Sequence, residues 1–305
     1  MQILIAGGSG FLGQVITKDL SEHGHEITIL SRFPEKTKSL FKDNVICLPW
    51  IDFDFSSWEA ALNSADVIIN LVGVNIANWL WTSNYKRQML NSRLHAGVTI
   101  TKAIENATHK PGILIQASAT GIYGYNREEV LTEASKPGTG FLAGLCREWE
   151  NSTQRVESAG VKRIITRIGP VLGLQSGILK KMLLPFKLFI GGPVGSGRQI
   201  LPWIHIADLT KAIRFLIESE IPGGVYNICA PEPVAMDAFA KTLGKILHRP
   251  SIFRIPEFII KLVFGEMGRE TILASQNVSA QNLLNYGFEF KFDSLDKALQ
   301  DLLVK

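Results

Sequence analysis

A glycine-rich turn near the start of the chain constrains the fold most. Residues 3–13 read ILIAGGSGFLG, so an apolar run leads directly into Gly7, Gly10 and Gly13. In a dinucleotide-binding turn, the first glycine permits the tight turn, the second lets the backbone approach a pyrophosphate, and the third lets helix and strand pack closely. The helix that follows offers free N–H groups to the phosphates. The sequence therefore predicts a dinucleotide site, with a purely structural turn as the alternative.

The alternation of apolar and amphipathic segments predicts the fold class. The apolar runs are rich in Ile and Val with little polar alternation, as in strands that are covered on both faces. We predict an α/β fold, a Rossmann-type doubly wound parallel sheet with a smaller C-terminal substrate lobe. The predicted strands are 2–6, 25–32, 44–49, 66–73, 112–119 and 162–169, and the helices between them 11–24, 56–65, 83–107 and 141–160.

The alternation of strand-like and helical segments changes after about residue 174, where a helical run leads into the Gly/Pro-rich loop IGGPVGSGRQILPW. We assign the strand-like run GVYNICA at 224–230 and the helical run at 257–275 to the smaller lobe. The predicted domains are a dinucleotide-binding domain at 1–220, with lobe insertions from about 174, and a segment at 250–305 that completes the lobe. This lobe should cover the carboxyl ends of the strands, where ligands bind in such sheets.

Composition excludes several classes of protein. The net charge of +4, from 32 basic and 28 acidic residues, comes without a dense basic run, which argues against a nucleic-acid partner. Three widely spaced cysteines, Cys47, Cys146 and Cys229, indicate neither a disulfide framework nor a metal site. The chain shows no signal peptide and no apolar stretch of about 18 residues. We therefore expect a cytoplasmic protein without a metal or a membrane partner.

The end of the second strand indicates which dinucleotide is bound. An NAD site usually carries Asp or Glu there, which accepts a hydrogen bond from the ribose 2′-OH. This chain has Ser31 and Arg32 instead. A guanidinium can bind a 2′-phosphate through two hydrogen bonds, whereas a carboxylate would repel it. The sequence favours NADP over NAD, with a solvated strand-end cation as the alternative for Arg32.

Further motifs identify a family. The run GGSGFLG resembles the glycine motif of the extended short-chain dehydrogenases/reductases, the sugar epimerase and dehydratase group. NLVG at 70–73, SATGIYG at 118–124, RIGPVLG at 167–173 and GSGRQILPWIHIADL at 195–209 follow in the order of that family. The chain is most similar to the subgroup labelled "epimerase family protein" (family 39U of the superfamily), which carries a distinct C-terminal segment.

The resemblance implies a set of cofactor contacts. Ser31 and Arg32 would hold the adenosine 2′-phosphate, and Arg93 would reach the cofactor. For the apolar positions, plain packing of the sheet edge is an equal alternative. The complete implied cofactor set is Gly7, Gly10, Phe11, Leu12, Gly13, Ser31, Arg32, Leu71, Val72, Gly73, Arg93, and Gly169, Pro170 and Val171 beside the nicotinamide.

The chain departs from the family pattern at its proton-transfer pair. Dehydrogenases of this superfamily use YxxxK on the helix after the fifth strand, where Tyr is the general acid/base and Lys lowers the pKa of Tyr. Here the helix reads GTGFLAGLCREWE, with Phe141 or Leu142 at the Tyr position. Leu145 or Cys146 stands four residues later. Neither can supply a fixed positive charge.

Ser118 and Tyr123 are the substitutes we predict for catalysis. Ser118 matches the catalytic Ser position of the family, and Tyr123 lies at the carboxyl end of the same strand. A pocket-shaping role is the alternative for Tyr123. Cys146 should be apolar and inert. Thr120 is a further candidate. The carboxylates of the loop before the helix are expected to be solvated; they belong to Glu128, Glu129 and Glu133.

The late loop departs from the pattern of nucleotide-sugar enzymes. The position of the Arg that binds the nucleotide phosphates falls at Leu201, with Arg198 as a partial replacement. His205 is either a pocket acid or a hydrogen-bonded structural residue, and Asp208 should be the N-cap of the following helix. Trp50, Trp79, Trp81 and Trp203 fit either pocket walls or core.

Two functions follow as alternatives. The first is an NADP(H)-binding epimerase or oxidoreductase that acts on a small carbonyl or carbohydrate-like substrate. The second is a non-catalytic NADP(H) sensor, since a Rossmann domain without its proton-transfer pair suits regulation. A structural protein with a relic glycine loop is a third, less favoured alternative. The resemblance also implies a homodimer formed through the long helices after strands four and five.

Overall fold

A computed structural model describes residues 1–41, 45–77 and 80–304. Its centre is a parallel sheet of seven strands in the order β11-β7-β5-β4-β1-β2-β3. These strands are β1 (Gln2–Ala6), β2 (Glu26–Ser31), β3 (Val45–Pro49), β4 (Val67–Asn70), β5 (Ile113–Ala119), β7 (Lys162–Ile168) and β11 (Gly224–Ile228). The doubly wound α/β fold is confirmed, as are the six predicted strands.

Helices cover both faces of this sheet. They are α1 (Phe11–Glu22), α2 (Pro34–Lys38), α3 (Glu59–Ser64), α4 (Ser83–Asn106), α5 (Phe141–Asn151), α6 (Gly177–Lys187), α7 (Ile206–Glu218), α8 (Met236–Leu247), α9 (Glu257–Met267), α10 (Gln281–Asn285) and α11 (Leu295–Leu303). Alternate residues of β1 enter opposite cores, because successive side chains of a strand point to opposite faces. Ile3 and Ile5 pack with α1 and α7, whereas Leu4 and Ala6 pack with α3 and α4.

Short strands and three helices build the smaller lobe. The strands are β6 (Asn126–Leu131), β8 (Val171–Leu172), β9 (Ile200–Leu201), β10 (Ile204–His205), β12 (Val234–Ala235) and β13 (Ser275–Val278). They pair as β10–β8, β12–β9 and β13–β6. A separate core between α6, α8 and α11 includes Phe186, Phe239 and Leu299. This lobe therefore has its own apolar interior.

The structure corrects two assignments in the C-terminal half. The strand predicted for the smaller lobe, β11, pairs with β7 in the central sheet, with Tyr226 opposite Thr166. The helix predicted through 257–275 ends at Met267, and Gly265 within it has φ 54°, ψ −129°, a conformation that breaks the helical path. A π-helical turn at 268–272 then leads into strand β13. The predicted domain bounds stay a prediction.

A third correction concerns the acidic run before α5. Glu128 and Glu129 lie on the exposed strand β6 rather than in a loop, and β6 pairs with β13 of the C-terminal segment. The paired residues of β6 and β13 lie 145 or more positions apart in the chain, so no local periodicity in the sequence predicts their pairing. Across the described ranges, no helix has the length and apolarity that crossing a membrane requires.

Candidate functional site

The glycine turn is shaped by close backbone packing. Gly7 has φ +86°, and a Cβ atom built on it would lie 2.9 Å from the Leu71 carbonyl carbon. A Cβ atom on Gly13 would lie 2.6 Å from Gly8 Cα, so α1 could not approach the turn. Gly10 is the N-cap of α1 and its N–H donates to Gly7 O at 3.1 Å. Glycine is therefore required at Gly7 and Gly13, as a phosphate-binding turn demands.

Phe11 and Leu12 begin helix α1 beside this turn. The Phe11 ring lies against Gly173, where a Cβ atom would be 3.0 Å from Phe11 Cζ. Leu12 packs at the edge of the core that α1 and α7 share. The contact of Phe11 brings the RIGPVLG segment, which follows β7, next to the glycine turn.

Ser31 and Arg32 lie at the carboxyl end of β2, but they differ in exposure. The Ser31 hydroxyl is buried, lies 2.6 Å from Thr37 Oγ1 and accepts a hydrogen bond from the Phe33 N–H at 3.1 Å. Arg32 is exposed. The guanidinium of Arg32 is thus the group that a ligand at this strand end can reach, while Ser31 holds the loop.

The segment after β4 passes directly beside the glycine turn. The Leu71 N–H donates to Ala6 O at 2.9 Å, and the Val72 N–H donates to Asn70 Oδ1 at 3.2 Å. Gly73 lies under the Arg93 guanidinium, since a Cβ atom on Gly73 would be 2.7 Å from Arg93 Cζ. A side chain at Gly73 would displace that guanidinium.

Arg93 is a buried cation on α4. It is 7% exposed, its Nη1 donates to the carbonyl oxygens of Val74 and Met89, and its guanidinium stacks 4.7 Å from the Trp149 ring. Burial lowers the pKa of Arg93 to about 10. Its buried Nε finds no hydrogen-bond partner among the described residues. A cation held this way beside Gly73 is suited to meet an acceptor on a ligand.

Gly169, Pro170 and Val171 follow β7 and are tied to the loop that precedes α7. The Gly169 N–H donates to Ile228 O at 3.0 Å, and the Ile204 N–H donates to Pro170 O at 3.1 Å. Val171 begins the short strand β8. The predicted cofactor residues on loops therefore gather at the carboxyl ends of β1, β2, β4 and β7, with Arg93 beside them on α4. Their contact with a cofactor stays a prediction.

Ser118 and Tyr123 lie in a buried hydrogen-bond network. The Ser118 hydroxyl donates to Glu150 Oε1 at 2.6 Å, and Glu150 accepts two further bonds from Arg167 at 2.9 and 3.0 Å. Arg167 Nη1 also donates to the Tyr123 hydroxyl at 3.0 Å, which in turn donates to Asn227 Oδ1 at 2.7 Å. The network joins β5, α5, β7 and β11.

The hydroxyls of Ser118 and Tyr123 have protein partners in this structure, and their proton transfer stays a prediction. Tyr123 is 0% exposed and Ser118 is 2% exposed. Burial raises the pKa of Tyr123, an effect larger than the opposing attraction of Arg167. Burial also raises the pKa of Glu133, whose carboxylate accepts the Asn227 N–H at 3.0 Å. Both partners of the predicted pair are engaged inside the protein.

Phe141, at one of the two predicted Tyr positions, begins α5 and lies in an aromatic and charged cluster. Its ring is 5.1 Å from the Trp81 ring, and Lys86 Nζ lies 4.9 Å from the Phe141 ring centroid. Lys86 Nζ donates to Glu266 Oε2 at 2.7 Å. Glu270 from the C-terminal segment caps α5, since its carboxylate accepts the N–H groups of Phe141 and Leu142 at 2.9 and 2.8 Å.

The structure reverses the roles expected for His205 and Asp208. His205 is the N-cap of α7, because its Nδ1 accepts the Ala207 N–H at 3.1 Å. Asp208 lies inside α7 and accepts the N–H groups of Lys291 and Phe292 at 2.8 and 2.9 Å. The expected N-cap role of Asp208 is therefore wrong, although its role is structural. Asp208 instead fixes the chain before α11.

Among the remaining aromatic and cysteine candidates, Cys146 and Cys229 are buried and Cys47 is half-buried. Trp50 and Trp203 are 7% and 0% exposed, and Trp79 lies outside the described residues. Burial raises the pKa of the Cys146 thiol to about 11, which agrees with an inert residue. Thr120 is 3% exposed and Leu201 is 7% exposed, while Arg198 is exposed.

Several charged residues that hold this region together were not predicted from the sequence. Arg167 and Glu150 are 7% and 8% exposed and form a two-bond ion pair. The signal for Arg167 was present, since it is the one cation among the inward positions of the apolar strand IITRIG. Glu270 and Glu266 carried no such signal, because their partners lie 128 or more residues earlier.

Comparison with known proteins agrees with this architecture. Residues 3–229 match the model of the NAD dependent epimerase/dehydratase family. The chain belongs to that family. Residues 255–302 match a domain of unknown function, DUF1731, which contains α9 and α11. The family resemblance drawn from the glycine motif is confirmed.

Relatives match over their whole lengths. The epimerase family protein YfhF of Bacillus subtilis is 37% identical over 304 residues, which cover 99% of this chain and 98% of YfhF. The mouse epimerase family protein SDR39U1 is 34% identical over 307 residues, covering 99% and 100% of the two chains. A crystal structure of human SDR39U1 with NADPH has a TM-score of 0.88 at 32% identity, covering 99% of each chain.

Proposed function

We propose that this family member binds NADP(H) and acts, like an epimerase or oxidoreductase, on a small carbonyl or carbohydrate-like substrate. The observation that carries dinucleotide binding is the packing at two glycines: a side chain on Gly7 would collide with the backbone after β4, and one on Gly13 would collide with the backbone of the turn. Such a turn before a helix N-terminus binds a pyrophosphate through backbone N–H groups.

The residues around the turn fit NADP(H). Arg32 is exposed at the end of β2, where the 2′-phosphate of the adenosine would lie. Beside Gly73, Arg93 offers a buried Nε that has no hydrogen-bond partner within the described part of the chain. The crystal structure of human SDR39U1 contains NADPH, and its 32% identity over 99% of both chains supports the same cofactor here. A cytoplasmic location and a homodimer stay predictions.

A second candidate function is a non-catalytic NADP(H) sensor. It is favoured by the bonds that engage Ser118 with Glu150 and Tyr123 with Asn227. When bound, NADPH supplies a hydride, but reduction also needs a proton donor at the substrate. With the hydroxyls of Ser118 and Tyr123 engaged in this way, an enzyme would need another donor or a change in these bonds, whereas the sensor requires none.

The first experiment measures cofactor binding by the fluorescence of the nicotinamide ring. Arg32→Ala should weaken NADPH binding by about 1.5–3 kcal/mol, the scale of a lost charged hydrogen bond, and should leave NADH binding almost unchanged. Arg147→Ala is the matched control, since Arg147 is an exposed cation of α5. Equal losses for NADPH and NADH would contradict the assignment of Arg32, and a wild type that binds neither would refute the cofactor.

A second measurement separates the enzyme from the sensor. Bound NADPH is followed over time in the presence of aldehydes, ketones and sugars, first with the wild type and then with Tyr123→Phe. Consumption of NADPH supports the enzyme. Stable NADPH with every compound, at a low dissociation constant, favours the sensor.

A further inference from the structure

A charged pair lies where the family pattern leaves a gap. Lys86 Nζ and Glu266 Oε2 are 2.7 Å apart, and their side chains are 29% and 32% exposed. Lys86 comes from the start of α4, and Glu266 comes from the end of α9 in the C-terminal segment. The pair thus links two elements that are 180 residues apart in the sequence.

The position of this pair follows from its aromatic neighbours. Lys86 Nζ lies 4.9 Å from the ring centroid of Phe141, the first residue of α5. The start of α5 rests on the turn after β5, because a Cβ atom on Gly121 would lie 3.3 Å from Leu142 Cβ. Trp81, from the segment after β4, packs edge-to-face against Phe141. The pair therefore lies above the carboxyl ends of β4 and β5.

Sheet topology says which half of a dinucleotide belongs there. The strand order reverses between β1 and β4, and a dinucleotide binds across the crevice at such a point. Arg32 marks the adenosine side, at the end of β2. The nicotinamide side is then the opposite one, over β4 and β5, which is the side of Lys86 and Glu266.

A cavity opens beside the pair. It has a volume of about 470 Å³ and is lined by Lys261, Gly265, Glu266 and Arg269. The cavity is an open groove, and of the pair it is Glu266 that lines it. Lys261 pairs with Glu257 at 2.6 Å, and the Arg269 guanidinium lies 5.1 Å from the Tyr125 ring. A small polar molecule could approach Glu266 from this cavity.

We propose that Lys86 and Glu266 form the charged pair at the nicotinamide end, in place of the absent YxxxK pair. This inference rests on the proposed binding of NADP(H). Lys86 offers N–H donors to an oxygen acceptor of a carbonyl substrate, and Glu266 is a positioning residue that holds the ammonium group. The Tyr and Lys of the family pattern lie on one helix, whereas this pair comes from two elements that meet only in the folded protein.

The test compares binding of the two redox forms of the cofactor, because the nicotinamide of NADP⁺ carries a positive charge that NADPH lacks. Lys86→Met leaves the Glu266 carboxylate uncompensated and should lower the ratio Kd(NADP⁺)/Kd(NADPH) about tenfold. Glu266→Gln leaves the ammonium uncompensated and should raise the same ratio about tenfold. Lys86→Arg keeps the charge and should restore the wild-type ratio.

Lys102→Met is the matched control, since Lys102 is an exposed lysine on the same helix α4. Melting temperatures are recorded for every variant. A merely structural link predicts lower melting temperatures for both variants with a ratio unchanged within about twofold, and that result would overturn the inference. Shifts in the same direction would also overturn it. A wild type that binds neither cofactor form would instead refute the proposed function, which the Arg32 experiment detects separately.

Discussion

Tyr123→Phe tests whether the buried network stabilises the fold or performs chemistry. The substitution keeps the ring but removes a hydroxyl that donates to Asn227 Oδ1 at 2.7 Å and accepts from Arg167 Nη1 at 3.0 Å. Both partners are buried, with Asn227 0% exposed and Arg167 7% exposed, so water cannot replace the lost bonds. The substitution therefore leaves an amide oxygen and a guanidinium N–H short of one partner each.

The expected loss in the free energy of unfolding is about 2–3 kcal/mol, since a buried group left unsatisfied costs about 1–3 kcal/mol. Arg167 retains its two bonds to Glu150, which keeps the loss below the sum for two fully orphaned groups. For a chain of this size the melting temperature should fall by roughly 5 °C. Affinity for NADPH should stay within about twofold, because Tyr123 presents no surface to a ligand.

Urea unfolding followed by circular dichroism measures the change, and NADPH fluorescence measures the affinity. Tyr286→Phe is the control, since the Tyr286 side chain is 44% exposed and its substitution should change stability by less than about 0.5 kcal/mol. Unchanged stability of Tyr123→Phe would refute the structural role. If that variant also slowed the turnover of bound NADPH, the catalytic prediction for Tyr123 would be supported.

Three other substitutions test the turn, the cap of α5 and the buried histidine. Gly13→Ala should abolish measurable NADPH binding, because the new Cβ would lie 2.6 Å from Gly8 Cα; fluorescence titration measures it. Glu270→Gln should lower the free energy of unfolding by about 1–2 kcal/mol, since a charged cap leaves the N-terminus of α5, and urea unfolding measures this loss. Burial lowers the pKa of His205 to about 4, below its ordinary value of 6.5. The unfolded chain therefore binds more protons, and stability should fall as pH drops from 6.5 towards 4; urea unfolding at several pH values should show a flatter dependence for His205→Asn.

Each of these predictions has a result that contradicts it. Gly144→Ala, where a Cβ meets no atom within 4 Å, is the control for the glycine turn and should leave NADPH binding intact. Normal NADPH affinity in Gly13→Ala would mean that the turn does not hold the cofactor. An unaltered unfolding free energy in Glu270→Gln would mean that the charge of Glu270 does not stabilise the N-terminus of α5. Equal pH dependence for the wild type and His205→Asn would assign the acid sensitivity to other groups.

The sequence predicts the sheet well because its signals are local. Strands such as Ile113–Ala119 are buried on both faces, so each appears as a continuous apolar run between helical patterns. The turn at 7–13 is equally local, since its glycines serve one strand and one helix. The assignment of the strand at 224–228 to the smaller lobe is wrong, because the chain leaves the central sheet after β7, builds part of the lobe and then returns to the sheet. No local spacing of residues in the sequence predicts that return.

In the candidate site, too, local features could be predicted from the sequence, whereas contacts between distant segments could not. Arg32 is the last residue of the predicted strand 25–32 and is exposed, so its position could be predicted from the sequence. The bonds of Ser118 could not, because Glu150 lies 32 residues later on a helix whose rotation about its axis is set by tertiary packing. The His205 cap shows the same limit. Asp208 is the commoner capping residue, but its carboxylate is engaged by the backbone of 291–292.

The adenosine end of the site is built from one short stretch of the chain, whereas the opposite end is built from distant segments. This difference decides which experiments test the proposed function. The adenosine side is built within 32 residues of the N-terminus, so the Arg32 variant tests binding alone. The opposite side needs residues from the segment after β4, from α5 and from α9, which meet around Phe141. The Tyr123 hydroxyl is engaged by Asn227 and Arg167, whereas Lys86 offers N–H donors at the edge of that cluster. Opposite shifts of the NADP⁺/NADPH ratio in Lys86→Met and Glu266→Gln would therefore support a position of the pair at the nicotinamide end, while consumption of bound NADPH is what separates the enzyme from the sensor.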